Sequence, residues 1–452
     1  MRRFSLTWWQ TAWLLLFLSG LVFRGRTAAE INNSAIDAWA LYRIGCVFLV
    51  GAILFVRLTL KRTRWVPYLF SGYVGLFVLF PLVSLVSTAW SVLPPWTLYK
   101  SVEFLVDVCT LAAILATIRS VEDYKKLIDW SWILLGLLVC SAWVGAVIDP
   151  SEALFSDPNL RVIPLPMRLV GVFPVVSCND LSEICATLGL VALCRMWIDP
   201  ERHHSKFWYR LLFAASMVSL VITQTRGSFI AFFVGLVVLL ILARRYALAA
   251  AGGFITVMAC GALLLLTNFG SHAQNFFNRG QNAQQSGGLS GRLQIWTESY
   301  YAIMERPILG YGGFAGSRFV VLSKNSSDSS SLNSFIDCAL DIGIVGVILI
   351  LIVLVLVGWT LFRNARNSQP WTIESAMAVE MFVAFIVLLI RSVESSNLIT
   401  HPLLSFLTII GAAEVLRYKR NTVLATSAQR DLSWQSDRSL PVSAPPTFSR
   451  IT

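Results

Sequence analysis

The chain has 452 residues, of which 56% are hydrophobic and 13% charged, with 16 Trp and 28 Phe. That composition excludes an ordinary soluble globular domain, in which about a quarter of the residues are charged. The net charge of +11 would suggest nucleic acid in a soluble protein, but most basic residues here fall in short loops between apolar runs, where they set membrane orientation. No nucleic-acid partner is expected.

A spanning helix needs about 20 apolar residues. In chain order, runs that span or nearly span occur at about 8–23, 38–56, 66–88, 102–118, 128–148, 178–197, 209–224, 228–243, 247–267, 339–362, 374–390 and 402–417. The first follows Met1-Arg2-Arg3 like a signal peptide, but span after span succeeds it, so it reads as a retained helix. The fold class expected is an all-α polytopic membrane protein with about 12 transmembrane helices. Residues 1–267 would hold helices one to nine and 268–338 a large periplasmic loop with short helices. Residues 339–417 would hold the last three helices and 418–452 a disordered, Ser- and Pro-rich cytoplasmic tail.

With the N-terminus inside, 23 of the 36 Lys and Arg fall on the cytoplasmic side and 12 outside, with Arg43 inside the second span. This bias supports cytoplasmic termini. The weakest point is TQTRGS at 223–228, because a single merged helix there would reverse everything after it. The eight cysteines lie mostly in apolar runs without CxxC spacing and read as small core residues. No metal site or cofactor is expected.

Three outer segments are large: 149–177, 391–401 and above all 268–338. Within the last, 271–289 reads as disordered and 290–315 as folded. A helix is expected from Arg292 with Leu293, Trp296, Tyr300 and Ile303 on one stripe, ending at Arg306-Pro307 before the Gly310–Gly313 turn. Arg226 stands in a tight turn at membrane level, where a guanidinium either snorkels or faces a polar cavity. Facing a cavity, its planar fork of donors would clamp phosphate oxygens. Arg292, at a helix start, is a second candidate for an anion, Arg43 a third and Arg391 a fourth. For proton transfer the outer side offers Glu298, Glu305, Glu394, Asp337, His272 and His401, and nothing in their spacing ranks them. Glu298 and Glu394 are carried forward as base candidates; His401, before Pro402 at a helix start, reads equally well as a capping or packing residue.

Four pieces recur in one order: STAWSVLPPWTLYKSVEF at 87–104; QTRGSFIAFFVGL at 224–236; Ser290-Gly291-Arg292 with Trp296 and Pro307-x-x-Gly310-x-Gly312; and NSFIDCALDIGIVG at 333–346. Together they resemble the O-antigen ligase and polysaccharide polymerase family, over about 70–416. The resemblance implies a glycosyltransferase whose donor is an oligosaccharide linked to undecaprenyl diphosphate, with Arg226 and Arg292 at the positions implicated in holding the diphosphate. It also implies a bacterial inner membrane and an active face on the periplasmic side. Ligases of the family carry a His before the Asn of the last motif, where this chain has Leu332. The expected function is therefore a polymerase for an exopolysaccharide or O-antigen-like glycan, working beside a chain-length regulator and a flippase. The alternatives are a ligase that passes glycan to lipid A core or protein, and a twelve-helix secondary transporter. Against the transporter, the largest hydrophilic loop lies between spans nine and ten and not between two similar halves.

Overall fold

The computed structural model describes residues 6–21, 38–60, 64–118, 120–156, 167–198, 206–245, 292–320, 330–369, 371–401 and 403–420. Its long elements are α1 Trp8–Gly20, α2 Ala38–Thr59, α3 Gly72–Val86, α4 Pro94–Leu115, α5 Val121–Ile148, α6 Cys178–Trp197, α7 Lys206–Thr223 and α8 Arg226–Leu242. They continue with α9 Arg292–Glu305, α10 Ser334–Asn367, α11 Ile373–Ser392 and α12 at 404–420. Eleven of the twelve apolar runs coincide with these helices; the run at 247–267 lies outside the described residues, as do 271–289 and the tail from 421 onward, while 418–420 continue α12. By length and apolar content α2, α3 with its extension to Trp90, α5, α7, α10 and α11 can cross a bilayer. The chain is a multi-pass membrane protein.

The helix ends follow from local chemistry. Thr7 and Gln10 form a capping box at α1, Ser120 caps α5 through the Asp123 amide, and Ser177 caps α6 through that of Asp180. These side chains satisfy N–H groups that have no partner within the helix. The α4 helix starts eight residues before the apolar run at 102, with Pro94 at its first position, where a missing N–H costs nothing. Lys100, Glu103 and Asp107 therefore lie inside a helix.

The segment 149–177, one of the three large outer segments, contains two small antiparallel sheets. One pairs β1 (Leu154–Ser156) with β2 (Met167–Leu169), placing Phe155 opposite Arg168; the other pairs β3 (Gly171–Val172) with β4 (Val175–Val176).

The turn at 224–225 is a true reversal and not a merged helix. Gln224 has φ 53°, a left-handed conformation that ends α7. Neighbouring contacts fix the directions: Gly189 of α6 meets Ser216 of α7 and Phe232 of α8, Cys185 of α6 bonds Ser219 of α7, and Ser182 of α6 bonds Ser228 of α8. Hence α7 runs against α6 and α8 runs with it.

The α10 helix is broken at Ile342 and Gly343, and the gap is filled by the segment after α9. The amides of Tyr311 and Gly312 donate to the carbonyls of Leu340 and Asp341 at 2.8 and 2.9 Å, and Ile344 donates back to Pro307 at 2.9 Å. Backbone groups freed by the break are thus satisfied by a second strand of backbone, as an apolar setting demands. Gly310 and Gly343 have φ +62° and +67°, and a Cβ on either would overlap backbone of the opposing segment. From the other side Val92 donates to Tyr311 O at 2.9 Å, Trp90 Nε1 to Leu309 O at 3.1 Å, Trp96 Nε1 to Phe314 O at 3.0 Å, and Gly313 N to Ser87 Oγ at 2.8 Å. Three of the four sequence motifs are thereby one interlocked unit.

At one end of the α6–α11 pair, Arg195 donates to Glu380 through Nε at 3.0 Å and Nη2 at 2.7 Å and meets Asp129 at 2.6 Å; Trp132 Nε1 also donates to Glu380 at 2.7 Å. Removing one partner leaves an uncompensated buried charge. Arg195→Met should therefore lower stability by about 3–5 kcal/mol, read as reduced folded protein in a detergent melting assay. The double variant Arg195→Met with Glu380→Leu should recover much of the loss.

Candidate functional site

The opposite end of the same helix pair carries a second polar cluster. On α6 the step from Glu183 to Arg195 is twelve residues, roughly 18 Å at 1.5 Å per residue. Glu183 therefore stands well away from the Arg195 clamp, beside the last turn of α11. There Arg391, fully buried, donates from Nη1 to Glu394 Oε2 at 3.0 Å and from Nη2 to the Asn179 carbonyl at 3.5 Å. Its Nε lies 3.7 Å from Glu183 Oε2. Asn397 Nδ2 donates to Glu183 Oε1 at 3.0 Å, and its Oδ1 accepts from Ser392 at 2.9 Å and Ser334 at 3.3 Å.

Arg226, the first residue of α8, opens onto this cluster. Arg168 and Glu394 are close enough to act on it electrostatically. The following residue, Gly227, leaves the space needed, since a Cβ there would strike Glu394 and lie 2.7 Å from Arg391 Nη1. Arg168 is brought in by β2, stitched to the turn by Gln224 Nε2 donating to Met167 O at 3.1 Å. Nε and Nη2 of Arg226 are enclosed and have no hydrogen-bond partner among the described residues. Arg168, Arg226 and Arg391 thus stand among the carboxylates of Asp180, Glu183 and Glu394, and Arg226 is an enclosed guanidinium with unspent donors among the described residues. A desolvated guanidinium in that state calls for an anion.

The loop at 391–401 is tied to the start of α10. Asn333 caps α10 through the amides of Phe335 and Ile336 at 3.0 and 3.2 Å, and its Nδ2 donates to Val393 O at 3.1 Å. Asp337 accepts from the Ser331 amide at 2.9 Å and from the Ser396 hydroxyl. Trp296 of α9 joins the same edge, its Nε1 donating to Ser331 O at 3.0 Å. Arg292, one helical turn before Trp296 and half-buried, is thereby carried on the edge that holds the 391–401 loop.

The stripe expected on α9 is displaced. The buried positions are Ile295, Ser299 and Ala302, whereas Leu293 and Tyr300 are exposed. Two of the three, Ser299 and Ala302, are small, and Tyr311 packs close enough for its hydroxyl to donate to Ala302 O at 3.0 Å. Glu298 accepts from Gln294 at 3.1 Å and its Oε2 is enclosed without a partner among the described residues. Glu305 accepts from Tyr311 at 2.7 Å. Neither is joined to the Arg391 cluster by these bonds.

Arg43 belongs to another group. Its Nε and Nη2 both donate to Glu103, the second at 2.9 Å; Lys100 Nζ donates to the same carboxylate at 2.7 Å and Tyr99 at 3.1 Å. His401 completes the group, with Nδ1 2.6 Å from Asp107 Oδ2 and Nε2 2.6 Å from Ser19 Oγ. Of the expected site residues, the structure brings together Arg226, Arg391 and Glu394, places Arg292 on the supporting edge, and assigns Arg43 and Glu298 to other surroundings. Sequence reasoning did not single out Arg168, Glu183 or Asn397. Charged and amide side chains at helix ends in an apolar chain were the available signal.

Residues 211–351 match the family model of the O-antigen ligases. That stretch of the chain is similar to the O-antigen ligase family. The match spans the Arg226 turn, α9, the backbone clamp and the broken part of α10, and it supports kinship with the O-antigen ligase and polymerase family. Among individual curated proteins nothing matches. The 87–104 motif, which closes the clamp from outside, and the Arg391–Asn397 cluster, which faces Arg226, lie beyond the matched residues.

Proposed function

We propose that the chain is an inner-membrane polymerase that transfers a glycan from undecaprenyl diphosphate to a second lipid-linked repeat unit. The product would be an exopolysaccharide or O-antigen-like glycan on the periplasmic face. The observation that carries this reading is the enclosed Arg226 guanidinium, with two unspent N–H donors beside Arg168 and the Arg391–Glu394 pair. In the reaction a hydroxyl of the acceptor sugar attacks the anomeric carbon of the donor. The bond from that carbon to the diphosphate oxygen breaks, and the diphosphate leaves with the electron pair. Negative charge grows on the leaving group, so donors fixed in advance around it stabilise the transition state more than the ground state.

In this reading Arg226 and Arg168 touch the diphosphate, Arg292 approaches from the α9 edge, and Arg391 fixes Glu394 without touching substrate. Glu394, in contact with the arginine cluster, is a better placed base for the acceptor hydroxyl than Glu298, which lies on the flank of α9. The proton passes from Glu394 to water.

The polymerase reading, as opposed to ligase, rests on Leu332 at the position where the ligases carry a His. Purified protein given a defined lipid-linked repeat unit alone should yield a ladder of longer lipid-linked glycans. Transfer seen only after lipid A core is added would show a ligase instead. A chain-length regulator and a flippase are the partners this role calls for.

A further inference from the structure

The side of α9 that faces away from the protein is only partly polar. At about 100° per residue, its positions sort into sectors. Ile295, Ser299 and Ala302 are buried, and Ile295 and Ala302 pack with Tyr311 and Leu340. Arg292, Trp296 and Ile303 are half-buried beside them. Gln294 and Glu298, joined at 3.1 Å, form a polar edge with Glu305. The remaining sector holds Leu293, Tyr300, Tyr301 and Met304, each more than half exposed. This apolar arc is about 100° wide, as broad as the stripe by which an amphipathic helix docks. We infer that the arc seats α9 on the surface of the bilayer, with interfacial phospholipid as its partner.

The partner follows from what the arc runs into. Beyond Glu305 the chain continues through Ile308 and Leu309, both also more than half exposed. Ile308 lies against Gly343 of α10, and the Ile344 amide donates to Pro307 O at 2.9 Å. At Ile344 begins the exposed stripe of α10, which continues through Ile348, Val355 and Trp359. Since α10 is long and apolar enough to cross a bilayer, that stripe meets lipid. From Ile344 to Trp359 it covers roughly 22 Å at 1.5 Å per residue, most of the roughly 30 Å hydrocarbon core. The arc on α9 therefore continues a lipid-facing surface past the break in α10.

The helix lies on the membrane and does not cross it. Its 14 residues reach about 21 Å, short of a span, and Arg292, Glu298 and Glu305 would be costly inside hydrocarbon. An apolar arc with a polar edge suits a helix lying in the interfacial plane. Tyr300 and Tyr301, with ring centres 5.9 Å apart, suit the same boundary, because a tyrosine ring takes the apolar side and its hydroxyl the wet one. On the protein side α9 is held by Trp296 Nε1 donating to Ser331 O and by the Tyr311 hydroxyl donating to Ala302 O, both at 3.0 Å. Gripped between bundle and lipid, the helix keeps Arg292 at headgroup depth. The seat does not depend on the proposed function and holds whichever acceptor the chain uses.

The test uses full-length protein in nanodiscs of phosphatidylethanolamine and phosphatidylglycerol, with the photocrosslinker p-benzoylphenylalanine in place of Tyr301 or, separately, of Met304. Both side chains are exposed, so membrane abundance should match the unaltered protein. Irradiation followed by mass analysis should show phospholipid adducts from both positions, at a yield at least ten times that from the same crosslinker at Glu298 on the polar edge. Equal lipid yields at all three positions would mean a submerged helix and overturn the seat. A chain-to-chain product would show a face for a second copy. An adduct to the sugars of added lipid-linked repeat unit would show a glycan platform. No adduct would show a stripe that faces water. Each of these last three results also overturns the seat.

Discussion

Arg226→Ala should reduce polymer formation by at least about a hundredfold, the scale on which single donors to a developing anion act, while leaving the amount of protein in the membrane unchanged. The second half of the expectation follows from burial. Arg226 makes no hydrogen bond through Nε or Nη2 to the described residues, so truncating it removes few native interactions. Its neighbour Arg391 is different. It is fully buried and engages Glu394, Glu183 and the Asn179 carbonyl, and Arg391→Ala should lower both activity and folded protein. Arg226→Lys should rescue little, because an ammonium presents a point charge in place of a two-pronged fork. The measurement is the initial rate of ladder growth from a defined lipid-linked repeat unit, normalised to protein in the membrane fraction. Equal rates in Arg226→Ala and the unaltered protein would remove the clamp.

Gly343→Val should act the other way round, eliminating folded protein and not merely activity. A left-handed φ of +67° is strained for any residue with a Cβ, and here a Cβ would also overlap the Ile308 carbonyl. Strained backbone of this kind costs about 1–3 kcal/mol. Displacing the 307–312 segment would in addition leave the carbonyls of Leu340 and Asp341 and the amide of Ile344 without partners in an apolar setting. The check is membrane abundance together with limited proteolysis. Gly343→Val should be degraded, whereas Gly136→Ala, whose Cβ meets nothing within 4 Å, should accumulate normally.

The helices are legible in the sequence because, in a chain this apolar, an uncharged run of spanning length has little to become except a membrane helix. The turn at Arg226 is legible as a turn, and the asymmetry of basic residues correctly weighs against a merged helix. The Gly310–Gly313 cluster reads only as a turn, since nothing local says that its amides fill a break thirty residues further on. That pairing joins backbone groups distant in sequence and leaves no periodic signature.

The face of α9 is misread from sequence for a related reason. Large apolar residues point to the wrong stripe, because the face is decided by Tyr311, distant from them in the pattern, which packs against the buried side closely enough to reach the Ala302 carbonyl. Arg226, Arg391 and Glu394 are found from charge at membrane level. Arg168 and Glu183 are not, because their importance comes from β2 and α6 converging on one point. Arg43 carries the right signal, a charge inside a span, but its partner Glu103 sits sixty residues away in α4.

In the proposed function each new linkage is made at the expense of a lipid diphosphate held at Arg226. The most direct measurement follows released undecaprenyl diphosphate and glycosidic linkages together, in purified protein supplied only with lipid-linked repeat unit. One diphosphate lipid should appear for each linkage formed, and both should fall together in Arg226→Ala. Ladder growth without release of diphosphate lipid, or release that continues unchanged when Arg226 is removed, would contradict it.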